Sequence, residues 1–246
     1  MIIVMPDAYT LHQGSMYSNS VTIGDWESYI AQDLVSYIDH HYRTIADPAS
    51  RGLARASMGG YGAIRIAMKR AAVFSSLYIL SACCLTAEIS PNPAIMAAAG
   101  AVRTREAAQT TEPGGATNLV LMHAAAWSPN PTRPPLFLDL LIEDGKVRPD
   151  IVAKWTANAV LATLDQYVPC LKTYHAIAMD IGNQDDLLAS NQELHQAMTR
   201  LGIAHEYEEY DGGHNNRRGE RIELKVLPFF PDHLSFAGKS SSAGPR

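Results

Sequence analysis

The stretch Arg51-Gly-Leu-Ala-Arg55-Ala-Ser57-Met-Gly59-Gly-Tyr-Gly-Ala63 limits the fold more than any other part of the chain. An apolar run ends in a serine, and a glycine-rich turn then opens a helix-compatible segment. A tight strand-to-helix turn of this kind lifts a serine oxygen above the end of a sheet. Such a turn is crowded, so small residues are wanted two positions before and two after the serine. Gly59 meets the second requirement, but Arg55 occupies the first. Ser-x-Gly-Gly also occurs in ordinary loops, and the weight of the motif depends on which acid and which histidine follow.

Both follow. Gly182-Asn-Gln-Asp185 comes after the apolar run Tyr174–Ile181, and Asp211-Gly-Gly-His214 comes after His205–Tyr210. The order Ser, Asp, His along the chain is that of α/β-hydrolases and differs from the two familiar protease orders. Three motifs at strand ends in this order are far more specific than any one of them.

The chain resembles the Putative esterase family of α/β-hydrolases, which includes esterase D (S-formylglutathione hydrolase), feruloyl and acetylxylan esterases and the mycolyltransferases. The resemblance rests on Val4-Met-Pro-Asp7, Gly14-Ser-Met-Tyr17, Trp26-Glu27, Asp33-Leu34, Tyr42-Arg-Thr44, Ser57-Met-Gly-Gly-Tyr-Gly-Ala63, Gly182-x-x-Asp185, Gly213-His214 and Leu227-Pro-Phe-Phe230. The family's elbow usually reads Gly-His-Ser-Met-Gly-Gly, where this chain has Arg55 and Ala56 before Ser57. By this resemblance Met1–Met5 corresponds to the fourth of the family's usual strands. The strands before it, including the one whose loop supplies half of the oxyanion hole, then lie outside this sequence. A leader could be missing with them, so the chain reads as cytoplasmic as it stands and as secreted if an N-terminal signal was lost.

Composition narrows the class. The sequence has 246 residues, 47% of them hydrophobic, and a net charge of −5. That suits one α/β domain over residues 1–236, with a cap-like insertion at 82–172 and a Gly/Ser-rich tail at 237–246 that the composition reads as disordered. No basic run points to nucleic acid or an anionic membrane, and no apolar stretch has the roughly twenty residues of a membrane span. The three cysteines, Cys83, Cys84 and Cys170, have neither zinc-type spacing nor a CxxC pair and read as buried thiols, not a disulfide framework. No metal or organic cofactor is implied.

Taken in order, the pattern predicts a strand at Met1–Met5 and a polar loop over Ala8–Ile23. An amphipathic helix N-capped by Asp25 then runs to about Arg43. Strands are expected at 51–56, 76–81, 174–181 and 205–210, with Pro135–Ile142 as an edge strand. Helices are expected at Asp150–Leu164, Leu187–Leu201 and Glu220–Leu234, the last broken or kinked at Pro228. The Pro-rich Ser128–Pro135 is the candidate rim of a substrate site over the carboxyl ends of the strands. If the gap beside the elbow strand stays open, its unpaired edge favours a homo-oligomer.

The expected catalytic residues are Ser57, Asp185 and His214. Ser57 needs a base to take its proton, and His214 follows two glycines that can present its ring. Asp180 and Asp186 are the alternatives to Asp185, with Asp186 expected to cap the helix that follows. The Met58 N–H is the expected first oxyanion donor, and Gly14, Ser15, Tyr17 and Trp26 are candidate substrate contacts. The reaction expected is carboxylic ester hydrolysis through an acyl-enzyme. The alternatives are an S-formylglutathione-type thioesterase and a catalytically impaired, ligand-binding member of the fold. Arg55 and the missing oxyanion loop favour the impaired form, and on that basis Arg55→Gly should raise activity.

Overall fold

In the computed structural model of the protein, residues 1–86 and 92–236 are described. Four parallel strands form the central sheet: β1 (Gly52–Ala56), β2 (Ser76–Leu80), β3 (Ala176–Gly182) and β4 (Glu206–Tyr210), in the order β1-β2-β3-β4. The register pairs Ala56 with Leu80, Leu80 with Asp180, and Gly182 with Tyr210. All carboxyl ends therefore lie on one side. β2 is buried throughout and β3 nearly so, as expected of parallel strands covered on both faces. The expected strands at 51–56, 76–81, 174–181 and 205–210 are thus present, each shifted by no more than two residues.

Met1–Met5 is different. It forms no strand among the described residues and is exposed, Met5 by 84%. Its alternation is strand-like, but a strand exists only through hydrogen bonds to a neighbour, and β1 pairs on one side only, with β2. Pro135–Ile142 is also not a strand. It makes one isolated bridge, Leu138 to Pro129, before the short ladder of Ile142–Glu143 with Lys146–Val147. The prolines at 134 and 135 lack the N–H groups a ladder needs.

The helix begun by Asp25, whose Oδ1 accepts from the Ser28 N–H, runs through a π-turn at Tyr29–Asp33 into α1 (Leu34–His41). Helix α2 (Met58–Lys69) follows the elbow and is buried along nearly its whole length. Its Arg65 and Lys69 hold the buried Glu27 carboxylate at 2.7 and 3.0 Å. Between β2 and β3 come α3 (Pro93–Ala101), α4 (Ala116–Trp127) and α5 (Pro149–Thr156). The helix expected at Asp150–Leu164 ends early, at Thr156, and resumes in short pieces to Leu171. After β3, α6 covers Leu188–Arg200. The last helix passes through a π-segment at Ile222–Val226 into α7 (Leu227–His233), so Pro228 sits where the π-segment gives way to α-helix. The tail expected to be disordered lies outside the described residues.

Candidate active site

Three loops at the carboxyl ends of the strands build the site. The first is the elbow. Ser57 has φ 58° and ψ −124°, a strained conformation held by the surrounding structure. Its N–H donates to the Leu80 carbonyl at 3.0 Å, and its own carbonyl accepts from Tyr61 N–H at 3.1 Å and Cys83 N–H at 3.3 Å. Arg55 does not disturb this turn. Its stem crosses Gly59, where an added Cβ would stand 1.7 Å from Arg55 Cγ, and its guanidinium ends in an exposed position 6.0 Å from the centre of the Tyr17 ring. The glycine after the serine creates the room that the glycine before it would otherwise have supplied.

The second and third loops interlock. Gly182 at the end of β3 meets the Gly212 carbonyl, and an added Cβ would stand 2.2 Å from that oxygen. Gln184 N–H donates to the same carbonyl at 2.9 Å, and Asn183 N–H donates to the Tyr210 carbonyl at 2.8 Å. This contact fixes the histidine loop against the aspartate loop. His214 Nδ1 lies 2.8 Å from Asp185 Oδ2, and His214 Nε2 lies 2.9 Å from Ser57 Oγ. An ionised carboxylate can only accept, so Nδ1 carries the proton in the neutral ring and Nε2 is free to accept from the serine hydroxyl.

Asp185 is buried, and its other oxygen accepts from the Leu187 N–H at 2.9 Å. It therefore also serves the start of α6, the role expected of Asp186. Asp186 is exposed, and α6 has no capping side chain at its first residue. Asp180 is committed elsewhere: its Oδ2 accepts from Arg221 Nε at 2.9 Å and Tyr78 OH at 3.0 Å.

Met58 is the first residue of α2, so its N–H has no partner within the helix. A Cβ on Gly14 would lie 3.0 Å from Met58 Sδ and 2.3 Å from Met122 Sδ, which brings the loop Tyr9–Tyr17 and α4 together at the elbow. Ser15 is fully buried and accepts from the Tyr17 N–H within its own loop. Tyr17 is buried against Gly62, and burial raises its phenol pKa. Trp26 makes packing contacts. Its indole donates to the Ile23 carbonyl and it meets Tyr29 edge-on, the packing role open to any aromatic on such a helix.

Sequence reasoning passed over Met122 and the pair Cys84–His123. His123 Nδ1 lies 2.6 Å from the Leu119 carbonyl, so it holds the proton, and Nε2 accepts from the Cys84 thiol at 3.1 Å. His123 is packed between Trp127 and Trp155, and burial lowers its pKa to about 4. The Cys84 thiol is pushed up by a hydrogen bond with the Cys83 thiol and by burial. Both groups are therefore neutral, which makes this a structural hydrogen bond and not an activated thiolate. The signal was the helical spacing of Leu119, His123 and Trp127, but nothing local links His123 to Cys84.

The Putative esterase family matches residues 9–218. The chain belongs to this family. Among solved structures it is similar to a ferulic acid esterase, at 21% identity and TM-score 0.55 over 89% of this chain and 64% of that one. An S-formylglutathione hydrolase from Staphylococcus aureus is 17% identical with TM-score 0.57, over 88% of this chain and 67% of that one. At these identities the likeness is one of fold, the α/β-hydrolase type. An esterase of Mycobacterium tuberculosis is 40% identical over 80 residues, 31% of this chain and 17% of that protein. This chain therefore aligns with under a fifth of the length of that curated relative. No helix among the described residues is long and apolar enough to cross a membrane.

Proposed function

We propose that the protein is a serine hydrolase of carboxylic esters, working through an acyl-enzyme. Family membership supports ester hydrolysis. The observation that carries the finer reading is the continuous hydrogen-bonded line Asp185–His214–Ser57, at 2.8 and 2.9 Å. Ser57 Oγ attacks the ester carbonyl while His214 Nε2 takes its proton, and the imidazolium that forms is stabilised by the buried Asp185. Negative charge develops on the carbonyl oxygen, and the Met58 N–H at the start of α2 is the donor nearest in sequence to receive it. Gly14 and Ser15, on the loop that meets Met58, are the source proposed for a second donor. Collapse expels the alcohol with the proton from His214. Water, deprotonated by the same ring, then attacks the acyl-enzyme and releases the acid.

The impaired reading rested on Arg55 and the missing oxyanion loop; the elbow holds the Arg55 side chain without losing the Ser57 bond to Leu80, and Gly14 and Ser15 are the donors proposed in place of that loop. The segment between β2 and β3 serves as the cap in this reading, because Met122 reaches the elbow from it. A fluorophosphonate probe tests the proposal. Labelling of the wild type that disappears in Ser57→Ala is the expected result, and an unlabelled, well-folded wild type would overturn it.

A further inference from the structure

A cavity of about 1030 Å³ opens between α3, α4 and the hairpin at Ile142–Val147. That is just above the range for small-molecule sites, about 300–1,000 Å³. Its buried walls are apolar: Met96 and Ala99 from α3, Leu121 from α4, and Leu136 and Leu138 from the Pro-rich segment. None of Ser57, Asp185 or His214 lines it. Residues 132–135 of the Pro-rich segment border this space. Helix α4 stands between the two places, with Leu121 at the cavity and Met122 at Gly14 and Met58.

The helix α3 keeps this space open. Gly100 lies inside it, without positive φ, and the nearest atom to an added Cβ would be Leu140 Cδ1 at 3.8 Å. The fold therefore does not require glycine there, although glycine costs a helix interior about 1 kcal/mol relative to alanine. The charged rim is uneven. Arg133 is held by Asp139 and Glu143, while Arg103 has no ion-pair partner among the described residues and is exposed. Asp144, also without an ion-pair partner among the described residues, sits in the hairpin turn with φ 50°. Buried apolar wall residues beside an exposed guanidinium that is unpaired among the described residues suit an alkyl chain that ends in an anion.

We propose that this cavity binds a single-chain fatty carboxylate, its alkyl chain along α3 and its carboxylate at Arg103, as a site separate from Ser57. The inference does not depend on ester hydrolysis. The experiment is displacement of a fluorescent fatty acid, dansyl-undecanoate, by laurate, dodecanol and dodecylamine, with the melting temperature of each variant recorded. Wild type should bind the probe saturably, with laurate the strongest competitor. Gly100→Leu, which fills the space and improves the helix, should weaken laurate by about tenfold or more while the melting temperature holds or rises. Arg103→Glu, at an exposed position, should weaken laurate and leave dodecanol unaffected. Equal laurate affinity in wild type and both variants would overturn the proposal. Dodecylamine binding more tightly than laurate would overturn the anionic half of it, and loss of the probe to a fluorophosphonate-blocked Ser57 would move the chain into the ester site.

Discussion

The side chain of Arg55 occupies the volume that a Cβ on Gly59 would need, 1.7 Å from its own Cγ. The two positions flank the elbow serine, and each is tolerable because of the other. Gly59→Ala should therefore destabilise the protein by about 1–3 kcal/mol, the usual cost of overpacking. In an Arg55→Gly background the same change should cost much less. Urea unfolding of the four members of this cycle measures the coupling. Since the turn already accommodates arginine, Arg55→Gly should be no faster on a short-chain ester. A marked gain in kcat/KM would show that the guanidinium obstructs the site.

The bond from Asp185 to His214 Nδ1 sets the tautomer of the ring. Asp185→Asn can offer an amide N–H at that place, so Nε2 would carry the proton and could no longer accept from Ser57. A fall in kcat of up to about 10⁴ is expected with little change in far-UV dichroism. Raising the pH should recover part of the rate, because hydroxide supplies the base that the ring no longer provides.

The contact between Gly182 and the Gly212 carbonyl holds the two loops in register. Gly182→Ala places a methyl 2.2 Å from a backbone oxygen that has no rotamer to escape by. His214 should move with its loop, and a displacement of about 1 Å is enough to cost roughly 100-fold in rate. Activity should fall further than the melting temperature suggests. A fully active Gly182→Ala would show that the loops are not coupled through this contact.

Acid should weaken the fold through its buried imidazoles. Burial lowers the pKa of His12 and takes that of His123 to about 4, from 6.5 in the unfolded chain. The unfolded state therefore binds more protons between these values, and stability falls as pH drops from about 6.5 toward 4. His12 is 1% exposed, and burial is the largest cause of its lowered pKa. His12→Leu should flatten the pH dependence of urea unfolding over that window, and an unchanged slope would place the acid sensitivity elsewhere.

The sequence determined what depends on short stretches of chain. The strand-to-helix turn at Ser57, the glycine before Asp185 and the paired glycines before His214 are local geometries, and local residues announce them. The alternation of apolar runs with amphipathic stretches likewise marked the four sheet strands and α6, because burial on both faces writes itself into each run. Tertiary structure alone decided which of these features meet. Met1–Met5 has the pattern of a strand but no partner beside it, and pairing is a property of two segments. Asp185 and Asp186 are equivalent as neighbours in sequence, and only the position of the His214 ring separates them. Arg55 looked obstructive because its escape route, over Gly59 toward Tyr17, exists only once the strand, the helix and the Gly14 loop are assembled. The Cys84–His123 bond and the cavity beside α3 were hidden for the same reason: each joins residues from separate segments, and the distances that define them are set by packing, not by spacing along the chain.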